Sequence, residues 1–465
     1  MAVFSTIKLS ELGGTKLLAP EFYHPDKLAA KQHLEKLNKN KIKDHFYNIR
    51  EIFDPKKGNL IQSSVVFDLS DVNSYFLYGG KKVTSSEEVG SAKKIFSQND
   101  VLISRLRPYL KEVSFIGFNE KLKLASTEFV VLRQRDKSYY PETLFAYLIS
   151  KEVQNILLWS VTGTEHPRFN ENYFLNLTLP NFSKEIQNEI KRIIQSAWKI
   201  FLDSSEFYYQ AENLLLGELG LKDFKARYKK TYVANLSNVL SSHRMDAEYF
   251  QPTYDEVIEK IKKYPDGFDK LLKYVENIKP NFDPKKHPDQ IFSYVELADI
   301  DPSIGIIHSE NKTKGDQAPS RARRILKESD VIVSSVEGSL EKVALVDKEY
   351  NGSLASTGFF QFRPLNILLE PEVLFVISKT IVLQSQLKKQ CSGTILTSVP
   401  KESLKEVIIP ILGLETQQEI ASLVKKSHEA RGKAKSLVDL AKRAIEIAIE
   451  NNEDEAIRFL YNTPK

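Results

Sequence analysis

The stretch NDVLISRLRPYL at residues 99–110 returns as SDVIVSSVEGSL at residues 329–340. The first six positions of the two stretches agree in kind, whereas Arg105, Arg107, Pro108 and Tyr109 of the first are replaced by Ser335, Glu337, Gly338 and Ser339 in the second. Further matches at almost the same separation are LAST at 124–127 and 354–357, and FDPKK at 53–57 and 282–286. A period of this length, close to half of the chain, is far longer than a solenoid repeat of ~20–50 residues, so it predicts a duplicated whole domain.

Each copy alternates between β-rich runs and helical patterns. The predicted strands, rich in β-branched and aromatic residues, are 101–104 and 129–132 in the first copy, and 331–334 and 359–362 in the second. Helices are predicted at 141–158 and 371–386, each beginning at a proline. The fold class is therefore predicted to be mixed α/β, with two similar globular domains.

A heptad pattern follows each copy. Residues 184–216, KEIQNEIKRIIQSAWKIFLDSSEFYYQAENLLL, place apolar side chains at alternating spacings of four and three, and Ser204 breaks this seam. The counterpart in the second copy is rich in alanine and includes Ala434 and Ala441. Such a seam favours two long helices that pair with each other as an antiparallel coiled coil. The alternative is that each helix only covers its own domain.

These patterns predict four segments along the chain. They are a first globular domain at 1–183, a first long helix at 184–220, a second globular domain at 221–412, and a second long helix with a C-terminal tail at 413–465.

The composition is that of a globular protein. Of 465 residues, 42% are hydrophobic and 27% charged, and Lys+Arg exceed Asp+Glu by 66 − 61 = 5. This small basic excess is compatible with nucleic-acid binding without demanding it. The single cysteine, Cys391, excludes intramolecular disulfides and multi-cysteine zinc sites, and fits a cytoplasmic protein. No apolar run of ~18 residues occurs and the N-terminus does not resemble a signal peptide, so no membrane partner is expected.

The common catalytic motifs are absent from the sequence. There is no HExxH, CxxC, GxSxG or GxxxxGK[ST] pattern, so neither a cofactor nor a metal ion is expected. One degenerate nuclease pattern of the PD…(D/E)xK type is present at Asp289, Glu310 and Lys312. In that alternative, two carboxylates would hold Mg²⁺ and the lysine would stabilise developing negative charge.

Basic and polar loops remain as candidates for DNA binding. The candidate residues are Arg105, Arg107, Tyr109, Lys111, Thr164, His166 and Arg168 in the first copy, and Arg321, Arg323, Arg324, Ser335, Glu337, Ser339 and Thr394 in the second. Arg105 and Arg107 correspond to Ser335 and Glu337. Arginine donates to guanine O6 and N7, whereas glutamate accepts from cytosine N4. Like scaffolds with unlike loops would suit two different short base sequences; the plain alternative is solvated surface charge.

The chain resembles the specificity subunit of a Type I restriction–modification system. The resemblance is carried by NDVLISRLRPYL, LASTEFVVLR and TGTEHPRFN in the first copy, and by SDVIVSSVEGSL and LASTGFFQFRP in the second. In both copies a proline precedes a QxEI entry into a long helix. The second copy departs from the first after Gly393-Thr394, where Ile395-Leu396-Thr397 replaces Glu165-His166-Pro167.

The resemblance implies a recognition subunit without catalytic residues. Its two domains would bind the two unlike halves of a bipartite, asymmetric target in double-stranded DNA. Its partners would be two modification (methyltransferase) subunits and the restriction (translocase and endonuclease) subunits. A coiled-coil scaffold without sequence specificity is the remaining alternative, and the target bases and the spacer stay open.

Overall fold

The structure is a computed structural model. It describes residues 3–8, 12, 18–60, 63–118, 123–225, 227–308, 311–365, 368–393 and 397–463. The chain forms two compact units: unit 1 is Met1–Phe201 with Gly432–Lys465, and unit 2 is Leu202–Arg431. Each unit holds one copy of the repeat together with one half of each long helix.

Unit 1 is built on two sheets. The first sheet is antiparallel and consists, in spatial order, of Phe46–Ile49, Phe129–Gln134, Val101–Ser104 and Val113–Phe115. The second sheet is mixed and consists of Ile52–Phe53, Lys93–Phe96, Lys123–Ser126, Ser64–Phe67 and Lys81–Val83. Its one parallel pair joins Lys123–Ser126 to Ser64–Phe67. Two short hairpins pair Val72–Asn73 with Phe76–Leu77 and Val161–Thr162 with Arg168–Phe169.

Unit 2 repeats this topology. Its first sheet consists of Val275–Asn277, Phe359–Pro364, Val331–Ser334 and Val343–Leu345. Its second sheet consists of Ala322–Ile325, Leu354–Ser356, Ile291–Val295 and Asn311–Lys314, again with one parallel pair in the middle. Two short pairs join Ile300–Asp301 to Ile306–Ile307 and Phe268–Lys270 to Ile408–Pro410. The duplication predicted from the sequence and the mixed α/β class are confirmed.

The same ion pair ties the first sheet of each unit. Arg133 donates to both carboxylate oxygens of Asp100 from Nε at 2.8 Å and Nη2 at 2.7 Å. At the equivalent positions of the second copy, Arg363 donates to Asp330 from the same two nitrogens, each at 2.7 Å. Both aspartates are fully buried, so each arginine supplies the counter-charge that a buried carboxylate requires.

Short helices cover the sheets. Unit 1 contains Pro25–Leu37, Ile42–His45, Pro141–Leu148, Lys151–Leu158, Glu171–Leu175 and Glu453–Asn462. Unit 2 contains Leu236–Ser242, Pro252–Lys262, Pro371–Lys379 and Ile381–Gln390. The single helices predicted at 141–158 and 371–386 are each two helices. Ser150 and Thr380 interrupt them, because the backbone of these equivalent residues is extended.

The two long helices are Lys184–Glu218 and Leu414–Glu450. In unit 1, the backbone N–H of Ser183, just before the first long helix, donates to Glu453, which follows the second. In unit 2, the hydroxyl of Ser427 donates to the carbonyl of Ser204 at 2.7 Å. Residue numbers rise along one helix as they fall along the other, so the helices pair antiparallel, as predicted.

The buried seam of the first long helix differs in part from the predicted one. Six positions of the predicted seam are buried, namely Ile186, Ile190, Ile193, Ala197, Ser204 and Ala211, but Ile200, Phe207 and Leu214 are only half-buried. The residues one position later, Phe201, Tyr208 and Leu215, are buried instead. The aromatic side chains decide this shift, because Phe201 packs on Phe76 with centroids 5.0 Å apart and Tyr208 packs on Phe375 at 5.9 Å. In the described part of the chain, no helix combines the length and apolar character needed to cross a membrane.

Candidate nucleic-acid interface

Two loops of unit 1 that are distant in sequence are joined edge to edge. The first is residues 104–112, which follow the buried strand Val101–Ser104, and the second is the hairpin of residues 161–169. The backbone N–H of Arg107 donates to the carbonyl of Pro167 at 2.8 Å, and that of Phe169 donates to the carbonyl of Arg105 at 3.1 Å. Five predicted site residues of the first copy, Arg105, Arg107, Thr164, His166 and Arg168, therefore lie on one joined surface.

The first loop projects its side chains outward. Arg107 and Lys111 adopt left-handed backbone conformations, with φ of 46° and 57°, on either side of the short 3-10 helix Pro108–Leu110. Non-glycine residues rarely adopt this conformation, and such strain is found most often where a side chain has a function. Arg107, Tyr109 and Lys111 are all exposed. Thr164 and His166 are exposed on the facing hairpin.

Two of the predicted arginines are held by one carboxylate. Glu128 accepts from Arg105 Nε at 3.0 Å, and from Arg168 Nε at 2.9 Å and Nη2 at 2.8 Å. These hydrogen bonds, chiefly those from Arg168, lower the pKa of Glu128, so it carries its negative charge between two cations. Arg105 and Arg168 are consequently fixed in orientation and partly neutralised.

A second carboxylate extends this cluster inward. Glu171 accepts from Asn48 at 3.1 Å and lies 3.6 Å from Arg105 Nη1, 3.7 Å from Arg50 Nη2 and 3.8 Å from Lys94 Nζ. Lys94 is buried and donates to the carbonyl of Phe129 at 2.7 Å. Burial lowers the pKa of Lys94. Lys94 therefore supports the loop from below and does not reach the surface.

Unit 2 has the same backbone frame at the equivalent positions of the second copy. Ser335 N donates to the carbonyl of Gly358 at 2.9 Å, as Arg105 N donates to that of Glu128 at 3.0 Å. Val399 N donates to the carbonyl of Ser335 at 2.8 Å, and Glu337 N donates to that of Thr397 at 3.1 Å. These two bonds correspond to the bonds Phe169–Arg105 and Arg107–Pro167 of unit 1. The loops of the two units are thus equivalent in backbone.

The side chains on this shared frame are different in kind. Where unit 1 has Arg105, Glu128 and Arg168, unit 2 has Ser335, Gly358 and Ser398. The hydroxyl of Ser335 donates to the carbonyl of Gly358 at 2.9 Å, and those of Ser334 and Ser339 are 3.0 Å apart. A charged cluster in unit 1 is therefore replaced in unit 2 by a neutral surface of hydroxyls, beside which Glu337 is half-buried.

The three arginines predicted in the second copy lie in different environments. Arg321 is exposed, and its carbonyl accepts from Thr357 N at 2.8 Å, beside the loop of Ser335. Arg323 is paired with Asp283 at 2.7 Å. Arg324 is only 5% exposed and donates to the carbonyl of Ile278. Burial lowers the pKa of Arg324 to about 10, and its burial removes it from the candidate surface, which corrects its selection from the sequence.

Two residues singled out from the sequence lie outside the described residues. They are Thr394 of the candidate surface and Glu310 of the nuclease pattern. Asp289 and Lys312 are both exposed, and Lys312 lies on the edge strand Asn311–Lys314. Within the described ranges, no three His, Cys, Asp or Glu side chains are grouped so that they could hold a metal ion.

The sequence did not reveal the two carboxylates that organise the unit 1 surface. Glu128 directly follows the repeated LAST motif, and its counterpart in the second copy is Gly358. A charged residue that replaces glycine next to a repeated motif was the available signal. Glu171 lies shortly after Arg168 in the chain, but its convergence with Lys94 and Arg50 depends on pairing between distant strands.

One family model matches the chain, and it is described as "Type I restriction modification DNA specificity domain". The match covers residues 292–430, which lie within the second copy and the first part of the second long helix. No curated protein matches the sequence.

Three solved structures align with most of the chain. The HsdS subunit from Thermoanaerobacter tengcongensis is 16% identical, with 89% of this chain and 96% of that chain covered, at a TM-score of 0.33. The S subunit of a Type I restriction–modification system from M. genitalium is 11% identical, with 92% and 96% covered, at a TM-score of 0.38. A structure described by complex assembly and conformational transition of the type I R-M system is 16% identical, with 90% and 96% covered, at a TM-score of 0.31. At these low TM-scores the conclusions rest on the family match and on the structure itself.

Proposed function

We propose that this chain, whose residues 292–430 match the model of the Type I restriction modification DNA specificity domain, is the DNA-recognition subunit of such a system. In this role it binds double-stranded DNA with sequence specificity and has no catalytic residues of its own. Its partners are two modification subunits, which methylate DNA, and the restriction subunits of the complete complex. It acts in the cytoplasm, where such a complex meets DNA.

One observation supports the proposal most strongly: the same backbone frame presents different side chains in the two copies. The backbone hydrogen bonds of Arg105 and Arg107 recur at Ser335 and Glu337. On this shared frame, the arginines and the carboxylate of the first copy are replaced by serines and glycine in the second. Base edges in the major groove are distinguished by donors and acceptors, so a change of side chains on a fixed frame changes the preferred bases. Structural loops without this role would have no reason to keep the frame and exchange its polar groups.

The target is therefore proposed to be bipartite and asymmetric. A first recognition domain at 1–183 binds one short block, a second at 221–412 binds an unlike block, and a run of unread bases lies between the blocks. The long helices, proposed at 184–220 and 413–465, carry the two domains and dock the modification subunits. The surface residues proposed for DNA contact are those of the two joined loops.

The test is methylome sequencing of a host that expresses this chain together with its modification subunit. The expected result is one methylated motif made of two unlike blocks separated by a fixed number of unread bases. A host that expresses the modification subunit alone is the control and should show no such motif. A continuous palindromic motif, or none, would contradict the proposal.

The alternative of a scaffold without sequence specificity makes a different prediction. It requires the purified complex to bind target and scrambled duplexes with equal affinity at the same salt concentration. A recognition subunit instead binds its target typically 10³–10⁷ times more tightly than unrelated DNA. The nuclease alternative requires the purified chain to cut DNA with Mg²⁺ alone.

A further inference from the structure

We infer that Arg107 and Glu337 occupy one equivalent base-reading position in the two units, and that Arg107 recognises a guanine whereas Glu337 recognises a cytosine. This inference rests on the proposed function and assigns the chemistry of one base in each half of the target. It also separates these two residues from the other charged side chains around them.

The equivalence of the two positions follows from their backbone bonds. Arg107 N donates to the carbonyl of Pro167 at 2.8 Å, and Glu337 N donates to the carbonyl of Thr397 at 3.1 Å. Each is the third residue after an equivalent buried strand, Val101–Ser104 or Val331–Ser334. Each is also joined to the same facing loop, because Leu106 bridges Arg168 and Val336 bridges Ser398.

Among the three arginines of the unit 1 surface, Arg107 is the one best placed to read a base. Arg105 and Arg168 are both ion-paired with Glu128, which accepts hydrogen bonds from both guanidinium groups. The guanidinium of Arg107, in contrast, is exposed and donates to a backbone carbonyl, that of Glu165, at 3.2 Å. Its four remaining N–H groups can meet the two acceptors of guanine, O6 and N7, in the bidentate geometry that arginine favours.

Arg105 and Arg168 then act as positioning residues. Through Glu128 they tie the strand end to the hairpin that carries Pro167 and Glu165, the two backbone acceptors of Arg107. This arrangement holds the reading side chain before DNA arrives, which reduces the entropy lost on binding.

The chemistry of Glu337 follows from its charge. A carboxylate near DNA is repelled by the phosphates, so it contributes to binding only if it accepts a hydrogen bond from a base. In the major groove the base donors are the exocyclic amines, N4 of cytosine and N6 of adenine, but N6 lies beside the acceptor N7, which repels a carboxylate, so cytosine is the base that suits Glu337. The nearby cation that interacts electrostatically with Glu337 is Lys388.

The experiment compares Arg107→Ala, Glu337→Ala and Glu337→Gln with the wild type, each in complex with the modification subunit. The methylome gives the motif, and binding to duplexes with one base pair changed at a time gives affinities at fixed salt. Arg135→Ala is the matched control, because Arg135 is exposed, stacks on Tyr47 and lies at the end of the strand Phe129–Gln134 that is remote from the two joined loops. We expect Arg107→Ala to lose roughly 5- to 150-fold in preference at one guanine of one block, with the other block unchanged.

Glu337→Ala should lose a similar preference at one position of the other block. Glu337→Gln should also lose most of the preference for cytosine, because a neutral amide oxygen accepts more weakly than a carboxylate and glutamine pairs best with adenine N6 and N7. A preference for cytosine that survives in both Glu337→Ala and Glu337→Gln would contradict the assignment.

Three results would overturn the inference while leaving the proposed function intact. Arg107→Ala could weaken binding to all duplexes equally, which would make Arg107 a phosphate contact. Glu337→Ala could strengthen binding to all duplexes equally, which would show that Glu337 only repels DNA and does not read a base. The relaxed position could also be an A·T pair, which would contradict guanine for Arg107 or cytosine for Glu337. A wild-type complex without a bipartite motif would instead contradict the proposed function itself.

Discussion

The guanidinium of Arg431, on the second long helix, donates to the hydroxyl of Ser204 on the first at 3.1 Å, and both groups are buried. Arg431 also donates to Ser205 at 3.1 Å and pairs with Asp301 at 3.1 Å. Ser204 is the residue that breaks the apolar heptad seam, and its polarity is explained by this partner. The counterpart of Arg431 in the first copy is Phe201, which lies in an aromatic cluster with Phe76 and Trp198.

The buried network predicts a large loss of stability for Arg431→Ala. The variant leaves the carboxylate of Asp301, which is 1% exposed, without its ion pair, and breaking a buried pair costs about 3–5 kcal/mol. Hydrogen exchange of unit 2 peptides in increasing urea measures this loss. Tryptophan fluorescence would not report directly on unit 2, because both tryptophans, Trp159 and Trp198, lie in unit 1.

The control for this prediction is the neutral double variant Arg431→Met with Asp301→Asn. The double variant leaves no uncompensated charge in the buried site, so most of the lost stability should return. Equal protection in Arg431→Ala and the wild type would show that the network does not stabilise unit 2.

The two equivalent ion pairs, Arg133–Asp100 and Arg363–Asp330, should contribute unequally to the free energy of unfolding. Arg133→Ala leaves Asp100 with one described donor, Ser97 N at 2.7 Å, whereas Arg363→Ala leaves Asp330 with Gln361 Nε2 at 2.7 Å and Lys327 N at 2.8 Å. We expect Arg133→Ala to lower the free energy of unfolding of unit 1 by about 3 kcal/mol, and Arg363→Ala to cost unit 2 less. Urea unfolding monitored by hydrogen exchange gives both values, and the reverse order would contradict the explanation.

The pKa of Glu112 predicts a pH dependence of stability. Burial raises the pKa of this carboxyl from its ordinary 4.5 to about 7, against the opposing effects of Ser104 and Arg107. The folded state therefore binds a proton more tightly than the unfolded state. The stability that this proton contributes is present below pH 4.5 and is lost as the pH rises through about 7.

The test compares the wild type with Glu112→Gln at pH 4.5 and pH 8 by urea unfolding. The difference in unfolding midpoint between wild type and variant should shift in favour of the variant at the higher pH, because glutamine carries no ionisable proton. A constant difference across this range would mean that Glu112 is not the group responsible.

The substitution Glu128→Gln should raise the affinity for DNA and lower the specificity for the target. The variant removes a negative charge from the loop surface, so affinity for any duplex should rise at low salt. It also weakens the charge-assisted bonds that orient Arg105 and Arg168, so discrimination between target and scrambled DNA should fall. Fluorescence anisotropy at several salt concentrations measures both quantities.

The control for Glu128→Gln is Glu349→Gln, an exposed carboxyl of unit 2 that carries the same charge. It should change the affinity for all duplexes slightly and leave discrimination as in the wild type. An unchanged discrimination in Glu128→Gln would contradict its positioning role.

The sequence by itself determined the duplication, the mixed α/β class and the two long helices. These follow from local patterns: whole motifs recur at a nearly constant separation, and a heptad period records which side of a helix is buried. The loops chosen as candidates, such as those of Arg107 and Glu337, were also found from the repeat, because they are where two otherwise matching copies differ. Their contact with DNA stays a prediction.

Only the tertiary structure decided which charged residues are exposed and which are buried or held in ion pairs. Arg105, Arg107 and Arg324 look alike in the sequence, yet the first is held by Glu128, the second is exposed and the third is buried. Likewise, the heptad did not reveal that Phe201 and Tyr208 are buried in place of Ile200 and Phe207. The physical reason is the same in both cases: burial and ion pairing depend on side chains from distant segments, and a local pattern contains no information about them.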